Sequence, residues 1–293
     1  MSLIMKKLLF IGFALLSILN AKAQDSINTV ILLDPGEFAP VLDLNIKSKS
    51  FRIINGHSSA VLPKGSFEIS IAHRFGQVST GIDNLWGVDN LSSNRIGFDY
   101  GATKKLTVGA GRSSYYKTFN GYAKYALLGD YASKFNLTYV VDMAVDGRAT
   151  SDWNLNPFYF THRINYTHQL IASYAFHPNL LIGFTPTVVH MNLVDGINMN
   201  NDIPVMGGYV RLALNKHVSF TLEANKITSF GMDLPVKSNP TVGLGLEVFT
   251  PKHAFQISLS NSRMLNEPYF MVTDQVPNTF GQFCLGFNIV RRW

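Results

Sequence analysis

The sequence predicts an all-β protein, an up-and-down antiparallel transmembrane β-barrel of about 12 strands. Three observations predict this fold. Apolar residues occupy every second position in successive stretches from Gly65 onward, the connections between stretches alternate in length, and aromatic residues gather at one end of the apolar faces. Period-2 alternation is the pattern of a strand with one apolar and one polar face. A soluble sandwich explains only the first observation, because its connections have no reason to alternate in length.

The first 23 residues are predicted to be a secretory signal peptide. Met5-Lys6-Lys7 is a short basic start, Leu8 to Leu19 is apolar, and Ala21-Lys22-Ala23 is a small-x-small cleavage site. The apolar run is too short for a spanning helix. We therefore expect the chain to be exported.

Residues 24–64 precede the repeating pattern and are predicted to form an N-terminal periplasmic or lumen-plugging segment. Asp34-Pro35-Gly36 is a turn signal. Phe51 to Ser58 is a short strand-like piece that ends at a turn. The barrel domain is then residues 65–293.

Twelve strands follow one another in this barrel domain. Their apolar faces begin, in chain order, at Phe67, Ile96, Leu106, Phe119, Leu137, Ile164, Ile182, Val210, Val218, Val242, Phe255 and Phe283. In the seventh strand Pro186 removes a ladder donor and suggests a bulge. A one-residue slip would exchange the lipid and lumen faces. Leu222→Arg is therefore expected to cost about 2–4 kcal/mol, and Thr221→Arg, which points into water, much less.

The connections are short after the second, sixth, eighth and tenth strands and long after most odd-numbered strands. The short ones are Ala102–Lys105, His177–Asn179, Asn215–His217 and Thr250–His253, with Gly129–Lys134 slightly longer and Ser113–Lys117 a short exception on the other side. Membrane barrels have short periplasmic turns and longer extracellular loops. An even strand number also returns both ends of the barrel to the periplasm.

Charged residues lie inside the strands, on the face opposite the apolar row. The predicted lumen-lining residues are Glu68, Arg95, Asp99, Lys124, Asp142, Arg211, Glu223 and Glu247. A lumen with both signs of charge favours small polar solutes over strongly charged ones. The same mixture would satisfy a closed interior through internal ion pairs.

Aromatic residues mark one edge of the apolar band. Tyr100, Tyr125, Tyr174 and Trp293 fall on the apolar faces close to the short-turn ends. This is where the inner-leaflet aromatic girdle of a membrane barrel belongs. The girdle favours the membrane barrel over the soluble sandwich.

The last stretch, residues 281–293, alternates apolar and polar positions and ends on an aromatic residue. It resembles the closing strand of bacterial outer-membrane β-barrels, in which this ending is the signal that the barrel assembly machinery reads. The resemblance implies that Phe287, Ile289 and Trp293 form the assembly signal. It also implies the assembly machinery as a partner.

A wider resemblance begins with Ile54-Asn55-Gly56-His57-Ser58, Leu62-Pro63-Lys64-Gly65 and His73-Arg74-Phe75-Gly76, and continues through Phe98-Asp99-Tyr100-Gly101, Leu106-Thr107-Val108-Gly109 and Gly111-Arg112-Ser113-Ser114. With these motifs the chain resembles an uncharacterised β-barrel family of Gram-negative outer membranes, known as a domain of unknown function. The resemblance covers about Phe51 to the end. It implies a barrel in the outer membrane and assigns no activity.

The function must therefore be argued from the residues. We expect a narrow channel for small polar solutes, because about twelve strands leave a narrow lumen unless side chains or a segment fill it. A closed barrel, either structural or partner-binding, is the alternative. An outer-membrane lipid hydrolase is the less favoured enzyme alternative.

No catalytic, metal or cofactor site is predicted. A hydrolase needs a nucleophilic serine, a histidine and a third polar group, but His57, His73 and His168 have no matched serine on the same face of a neighbouring strand. No His, Cys and carboxylate spacing indicates a metal. The net charge of +6 comes from scattered residues, so no nucleic-acid site is expected.

Two basic residues are predicted to meet lipid at the outer rim. His73 and Arg112 fall on the lipid-facing register near the outer ends of the first and third strands. At headgroup level a basic side chain can meet a phosphate, so an outer-leaflet lipid or glycolipid is expected as their partner. The alternative is that Arg112 begins the 113–117 loop and is solvated.

Overall fold

The computed structural model describes residues 52–130, 133–153, 155–194, 200–228, 239–272 and 282–293. Twelve strands form one closed antiparallel barrel in which every strand pairs with its sequence neighbours and β1 pairs with β12. The strands are β1 Phe67–Gln77, β2 Leu91–Gly101, β3 Leu106–Ser113, β4 Phe119–Leu128, β5 Phe135–Val145, β6 Ile164–His177, β7 Leu180–Met191, β8 Asp202–Ala213, β9 Val218–Ile227, β10 Thr241–Phe249, β11 His253–Ser260 and β12 Cys284–Arg292.

The side-chain alternation in the sequence becomes an alternation of burial. In β6, Asn165, Thr167 and Gln169 point inward and are buried, while His168 and Leu170 point outward and are exposed. The barrel therefore has a polar interior and an apolar outer surface, the reverse of a soluble protein. Because monomeric soluble proteins rarely expose continuous apolar surface on this scale, this outer band is suited to lipid.

The barrel closes between its first and last strands. Glu68 pairs with Arg292 and Ile71 with Ile289 in the antiparallel register. Beyond the strand end, the Phe67 and Trp293 main chains exchange hydrogen bonds of 3.2 and 2.9 Å. The Trp293 ring packs 5.9 Å from the Phe67 ring and covers the seam. No strand edge is left unpaired, as a barrel in lipid requires.

Connections of different length emerge at the two barrel ends. The short-turn end carries residues 102–105, 129–134, 178–179, 214–217 and 250–252. The long-loop end carries residues 78–90, 146–163, 192–201, 228–240 and 261–283, together with the short connection 114–118. Short 3-10 helices lie at Val78–Thr80, Ile82–Gly87, Tyr115–Lys117, Thr150–Trp153 and Phe160–Arg163. Among the described residues, an α-helix, α1, spans Glu267–Val272 in the connection between β11 and β12.

No helix within the described ranges is long and apolar enough to cross a membrane.

The predicted fold class is confirmed, since the structure is a closed antiparallel barrel of 12 strands. The predicted signal peptide and residues 24–51 lie outside the described residues. The domain boundary at residue 64 stays a prediction.

Three local expectations are wrong. Pro186 causes no bulge, because the β6–β7 register is the same at Ala172–Phe184 and Gln169–Thr187, and Pro186 pairs in step with Met206. The strand-like piece before the barrel is a tight turn, not a strand. Thr221 does not face open water: it is fully buried inside the barrel, so an arginine there would not be mild.

Candidate functional site in the barrel lumen

The lumen is the candidate site, because the buried polar groups of the barrel converge there. The structure places all eight predicted lumen residues on the inward face, with exposed fractions between 0% and 6%. A buried charge is costly unless it is paired or hydrogen-bonded. The contacts of these eight residues therefore show what the lumen holds.

Some of these charges are satisfied by the barrel wall itself. Arg292 donates to Glu68 at 2.8 Å across the closing seam. Arg211 on β8 donates to Glu247 on β10 at 3.0 Å. The first ion pair joins two neighbouring strands, and the second spans β9 on the inside of the barrel.

A second group runs along the wall from β2 to β5. Asn120 accepts from Arg95 at 3.2 Å and donates to Asp142 at 2.6 Å. The Tyr122 hydroxyl donates a short hydrogen bond to Asp99. Lys124 is fully buried on β4 of the same wall. The role of these residues toward a solute stays a prediction.

The remaining wall groups hold a segment of the chain that precedes the barrel. Residues 52–57 form a hairpin turn, called here the lumen hairpin. Arg52 and His57 form an isolated antiparallel β-bridge, and the Ile53 N–H donates to the Gly56 carbonyl at 2.9 Å. The four residues between the bridging pair include Asn55-Gly56, a composition favoured in tight turns. The lumen hairpin lies inside the barrel, with Ile53, Ile54 and Asn55 buried.

Glu223 on β9 holds the hairpin from one side. Its carboxylate accepts the main-chain N–H groups of Ile54 at 3.0 Å, Asn55 at 3.1 Å and Gly56 at 3.1 Å. Successive N–H groups directed at one point form an anion-binding nest. Charge-assisted bonds of this kind are stronger than neutral ones.

Other wall side chains hold the hairpin carbonyls. Arg74 and Asn288 each donate to the Ile54 carbonyl at 3.1 Å. Gln256 donates a short hydrogen bond to the Ile53 carbonyl. Arg211 donates to the Arg52 carbonyl at 3.2 Å. Together with Glu223, these groups satisfy both the donors and the acceptors of the turn.

The opposite wall is apolar where the hairpin side chains meet it. Ile53 and Ile54 pack in one buried cluster with Val140, Ile171, Ala175, Leu181 and Tyr209. These wall residues lie on the inward register, which is otherwise mostly polar. The sequence carried this signal, because Val140 and Ile171 interrupt the polar faces of the fifth and sixth strands. An apolar inward patch indicates that something apolar occupies the lumen.

From the hairpin the chain continues through the lumen to the short-turn end. Ser59 shares a hydrogen bond of 2.6 Å with Ser173 and its carbonyl accepts from Thr138 at 2.7 Å. The Leu62 N–H donates to Thr107 at 2.8 Å. At the end of β2 the carbonyl of Pro63 lies where any side chain on Gly101 would stand. Only glycine at this position lets the segment pass the strand end.

Helix α1 occupies the long-loop end of the lumen. Phe270 and Tyr269 pack in a buried cluster with inward residues of β5, β7, β8 and β9, namely Ala144, Val189, Ile203, Val205 and Ile227. Two hydrogen bonds add to this packing, from Thr241 to the Phe270 carbonyl at 2.7 Å and from Asn165 to the Tyr269 hydroxyl at 3.0 Å. Sequence reasoning missed this helix, although Tyr269-Phe270-Met271-Val272 is an apolar run within a loop.

The two occupants of the lumen meet at one buried carboxylate. Glu267 of α1 accepts from Arg52 at 2.6 Å, and its same oxygen lies 3.2 Å from the His57 imidazole. Burial, with the nearby charges of Arg52, Lys124 and Arg95, lowers the pKa of His57 well below its ordinary value. The ring is therefore neutral at neutral pH, and Arg52 is the cation that balances Glu267.

A small cavity remains beside the hairpin. It has a volume of about 40 Å³ and is lined by polar groups that include Asn55, Glu68, Arg95 and Asn288. A buried water needs roughly 10–15 Å³ of such volume. The cavity therefore has room for a few waters and not for a solute.

The residues predicted to act outside the lumen lie on the outer surface. His73 is half-buried and stacks on Phe287, 4.8 Å between ring centroids. Arg112 is exposed, with its guanidinium 5.4 Å from the Phe119 ring. Ile289 and Trp293 face outward like Phe287. Contact of His73 and Arg112 with lipid headgroups, and the role of β12 as an assembly signal, stay predictions.

The histidines considered for catalysis are separated. His57 is buried in the lumen, while His73 and His168 lie on the outer face, where His168 and Tyr139 share a hydrogen bond of 2.6 Å. Within the described part of the chain, no group of three or more His, Cys, Asp or Glu side chains is arranged to hold a metal ion.

A closed barrel with an apolar outer belt, a polar interior and long loops at one end defines an outer-membrane β-barrel protein. Residues 49–293 match a family described as a membrane bound beta barrel domain, DUF5777, and the chain belongs to that family. The family resemblance seen in the sequence and the outer-membrane location are thereby confirmed. No curated protein matched the sequence.

Several solved outer-membrane barrels are similar to the chain. An outer membrane channel from Pseudomonas putida F1 has a TM-score of 0.48 at 12% identity, covering 80% of this chain and 97% of the channel. The NanC porin has a TM-score of 0.48 at 10% identity, covering 76% and 97%. The outer membrane protein Omp33 of Acinetobacter baumannii has a TM-score of 0.40 at 14% identity, covering 78% and 99%. These distant likenesses say nothing of a solute.

Proposed function

We propose that this protein is a narrow outer-membrane channel for small polar solutes that is closed by its own lumen hairpin and conducts when the hairpin leaves. The observation that carries the proposal is the way the hairpin is held. Side chains of five wall strands bind the hairpin through hydrogen bonds, chiefly to its main chain. The hairpin itself is not paired with any strand of the barrel.

Release of the hairpin leaves the barrel intact. Because residues 52–62 precede β1 in the sequence, they can leave the lumen without breaking the pairing of any strand. Each wall hydrogen bond lost is replaced by one to water, so its net cost is only about 0.5–1.5 kcal/mol, or about 1.5–3 kcal/mol where a charge takes part. Release also exposes the buried side chains of Ile53 and Ile54, and the sum of these costs is compatible with a rarely open state.

The vacated wall suits a small polar solute. Arg74, Glu223 and the Arg211–Glu247 ion pair would line the vacated space together, so neither sign of charge dominates. A mixed lining opposes strongly charged solutes and offers hydrogen bonds to polar ones. Helix α1 still narrows the long-loop end, which favours small solutes.

A closed structural or partner-binding barrel is the second candidate. The observation that favours it is the contact of Arg52 and His57 with Glu267, which joins the hairpin to α1 in a fully buried position. Under this alternative the hairpin is a permanent core element and never leaves. Neither candidate assigns a catalytic reaction to the protein.

Planar-bilayer recording of the refolded protein tests the proposal, with Glu223→Gln compared with wild type. The substitution removes the charge that holds three N–H groups, so we expect the ratio of open to closed time to rise by about 10–100-fold, equivalent to 1.5–3 kcal/mol. Asp146→Asn is the matched control, because Asp146 is a buried carboxylate that pairs with Arg148 outside the hairpin contacts. The ratio of open to closed time of Asp146→Asn should equal that of wild type.

Two results would count against the proposal. If wild type and Glu223→Gln both remain silent while migrating as folded, heat-modifiable barrels, the closed barrel is the better account. If the two conduct with the same open time, the lumen hairpin is not the gate.

A further inference from the structure

The wall that holds the lumen hairpin recognises it mainly as a peptide main chain. Glu223 accepts only main-chain N–H groups from the hairpin, and Gln256, Asn288 and Arg211 donate only to its main-chain carbonyls. Two wall groups also contact the Asn55 side chain: Arg74 donates to it at 2.7 Å, beside its bond to the Ile54 carbonyl, and Ser260 accepts from it at 3.5 Å. Most of the polar recognition is therefore independent of the hairpin's sequence.

The acceptor and the donors lie around one half of the barrel. Arg211 and Glu223 are on adjacent strands β8 and β9, and Gln256, Asn288 and Arg74 follow on β11, β12 and β1. The Glu223 carboxylate meets three successive N–H groups, while the donors meet three successive carbonyls. This is the complementarity that a short peptide segment requires, because its main chain carries one donor and one acceptor per residue.

The other half of the barrel offers an apolar surface to the side chains. Val140, Ile171 and Leu181 are fully buried on the inward faces of β5, β6 and β7. The hairpin isoleucines Ile53 and Ile54 belong to the same buried cluster as these residues, and the Ile54 side chain also reaches Gly243 on β10. A sugar or other polyhydroxylated solute would leave the apolar patch against polar groups, whereas a peptide with aliphatic side chains matches both halves.

We propose that this wall is a binding site for short peptides with aliphatic side chains, and that the lumen hairpin occupies it as an internal mimic of such a peptide. The inference names the substrate class of the proposed channel and rests on the proposed function, because a free peptide reaches the site only when the hairpin has left. Peptide and hairpin therefore compete for the same wall.

Competition is measurable through the accessibility of position 59. Ser59 is 6% exposed inside the lumen. In a Cys284→Ser background, a Ser59→Cys thiol should react with N-ethylmaleimide only when the hairpin has left. Acetyl-Ile-Ile-Asn-Gly-amide, which has the sequence of the turn, should raise the labelling rate of the full-length refolded protein in a saturable way. Maltotriose, a polar solute without N–H groups or apolar side chains, should leave the rate unchanged.

A second variant assigns the effect to the wall. In the same background, Glu223→Gln should raise the labelling rate without peptide by about tenfold or more, the contribution of one charge-assisted bond. The peptide concentration for half-maximal effect should stay about the same, because peptide and hairpin lose the same bond. If the peptide bound elsewhere, easier release of the hairpin would lower that concentration. Asp146→Asn should change neither value. Tetraglycine amide should act more weakly than the aliphatic peptide, because it lacks the side chains that fill the apolar half.

The labelling and the bilayer recordings separate the two claims. The peptide site is wrong, and the channel stands, if the protein shows gated conductance but its labelling rate does not change with peptide. The same conclusion follows if maltotriose raises the labelling rate as much as the peptide does. Peptide-dependent labelling without conductance supports the site and overturns the channel.

Discussion

The lumen hairpin and helix α1 both fill the barrel, but they are held in different ways. Polar side chains of the wall bind the hairpin, largely through its main chain, and the segment lies outside the strand order. Helix α1 is packed by apolar inward residues and is tied on both sides, to β11 and to β12. The difference indicates that α1 is a fixed part of the long-loop end and that the hairpin is the part that can be removed.

The physical reason is that water replaces the lost contacts of the two segments to different extents. Apolar burial is lost outright when α1 leaves its cluster, because water offers apolar side chains no substitute. The hydrogen bonds of the hairpin are exchanged for hydrogen bonds to water, so their net contribution is small. The apolar burial lost with the hairpin is that of Ile53 and Ile54, whereas α1 would lose that of Tyr269, Phe270, Met271 and Val272. Two segments in one lumen therefore differ in how easily they are released.

The largest expected effect comes from the fixed segment. Phe270 is fully buried at the centre of the α1 cluster. Phe270→Ala should lower the free energy of unfolding of the refolded barrel by about 3–5 kcal/mol, through lost burial and the cavity left behind. Urea unfolding followed by tryptophan fluorescence measures this. A loss below about 1 kcal/mol, an ordinary surface effect, would show that α1 is not a packed core element.

The lumen hairpin should respond differently from α1 to an equivalent truncation of a buried side chain. Ile54 is as buried as Phe270, and Ile54→Ala removes about 2–5 kcal/mol of packing. We expect the open time to rise strongly. The unfolding transition of the barrel should move little, because the hairpin leaves at lower urea concentrations than those at which the barrel unfolds. If Ile54→Ala instead lowers the unfolding free energy as much as Phe270→Ala does, the two segments belong to one core, and the distinction between a fixed helix and a removable hairpin is wrong.

The junction between the segments gives a smaller effect. Glu267→Gln removes the carboxylate that balances Arg52 at 2.6 Å. A hydrogen bond to a charged group contributes about 1.5–3 kcal/mol, and this contribution should appear as a longer open time with α1 still in place. The check is bilayer recording beside urea unfolding of the same preparation. Unchanged open time would mean that the junction does not hold the hairpin.

Acidification should produce the smallest effect. The pKa of His57 is lowered by burial in the closed state and returns to an ordinary value near 6.5 when the hairpin leaves. At a pH between the two pKa values, His57 is protonated in the open state and neutral in the closed state. Lowering the pH from 7.5 to 5.5 therefore favours opening, and the ratio of open to closed time rises by at most about tenfold per pH unit below 6.5. Above pH 7 the ring is neutral in both states and no change is expected.

The His57→Gln variant supplies the control for this pH effect. It should open equally at pH 7.5 and pH 5.5, because no imidazole is left to take up the proton. An equal response in wild type and His57→Gln would assign the pH effect to another group.

Much of the barrel could be predicted from sequence because a strand's pattern is local. Alternation alone predicts the inward positions of residues such as Glu223 and Arg211, and the structure has them there. The partners of those residues are set by tertiary contacts, so the sequence did not indicate that both would hold residues 52–56. Nor did it give a reason to expect Thr221 to be fully buried, since alternation gives the side of the strand on which a residue lies and not what surrounds it.

Two features of the sequence depart from the barrel pattern. Val140 and Ile171 break the polar side of their strands, and Tyr269-Phe270-Met271-Val272 is apolar within a connection. Both departures from the barrel pattern mark positions where a segment enters the lumen. Helix α1 has six residues, which is too short for helical periodicity to be recognised.

A reversible lock on the hairpin tests the central claim most directly. The Ser59 and Ser173 side-chain oxygens lie 2.6 Å apart, so Ser59→Cys with Ser173→Cys, in a Cys284→Ser background, should form a disulfide of about 2.05 Å. We predict that the oxidised protein is silent in a planar bilayer and that adding a reductant during the recording starts conductance equal to that of the Cys284→Ser parent. Conductance that continues with the disulfide intact would contradict the account, because the hairpin would then not close the channel.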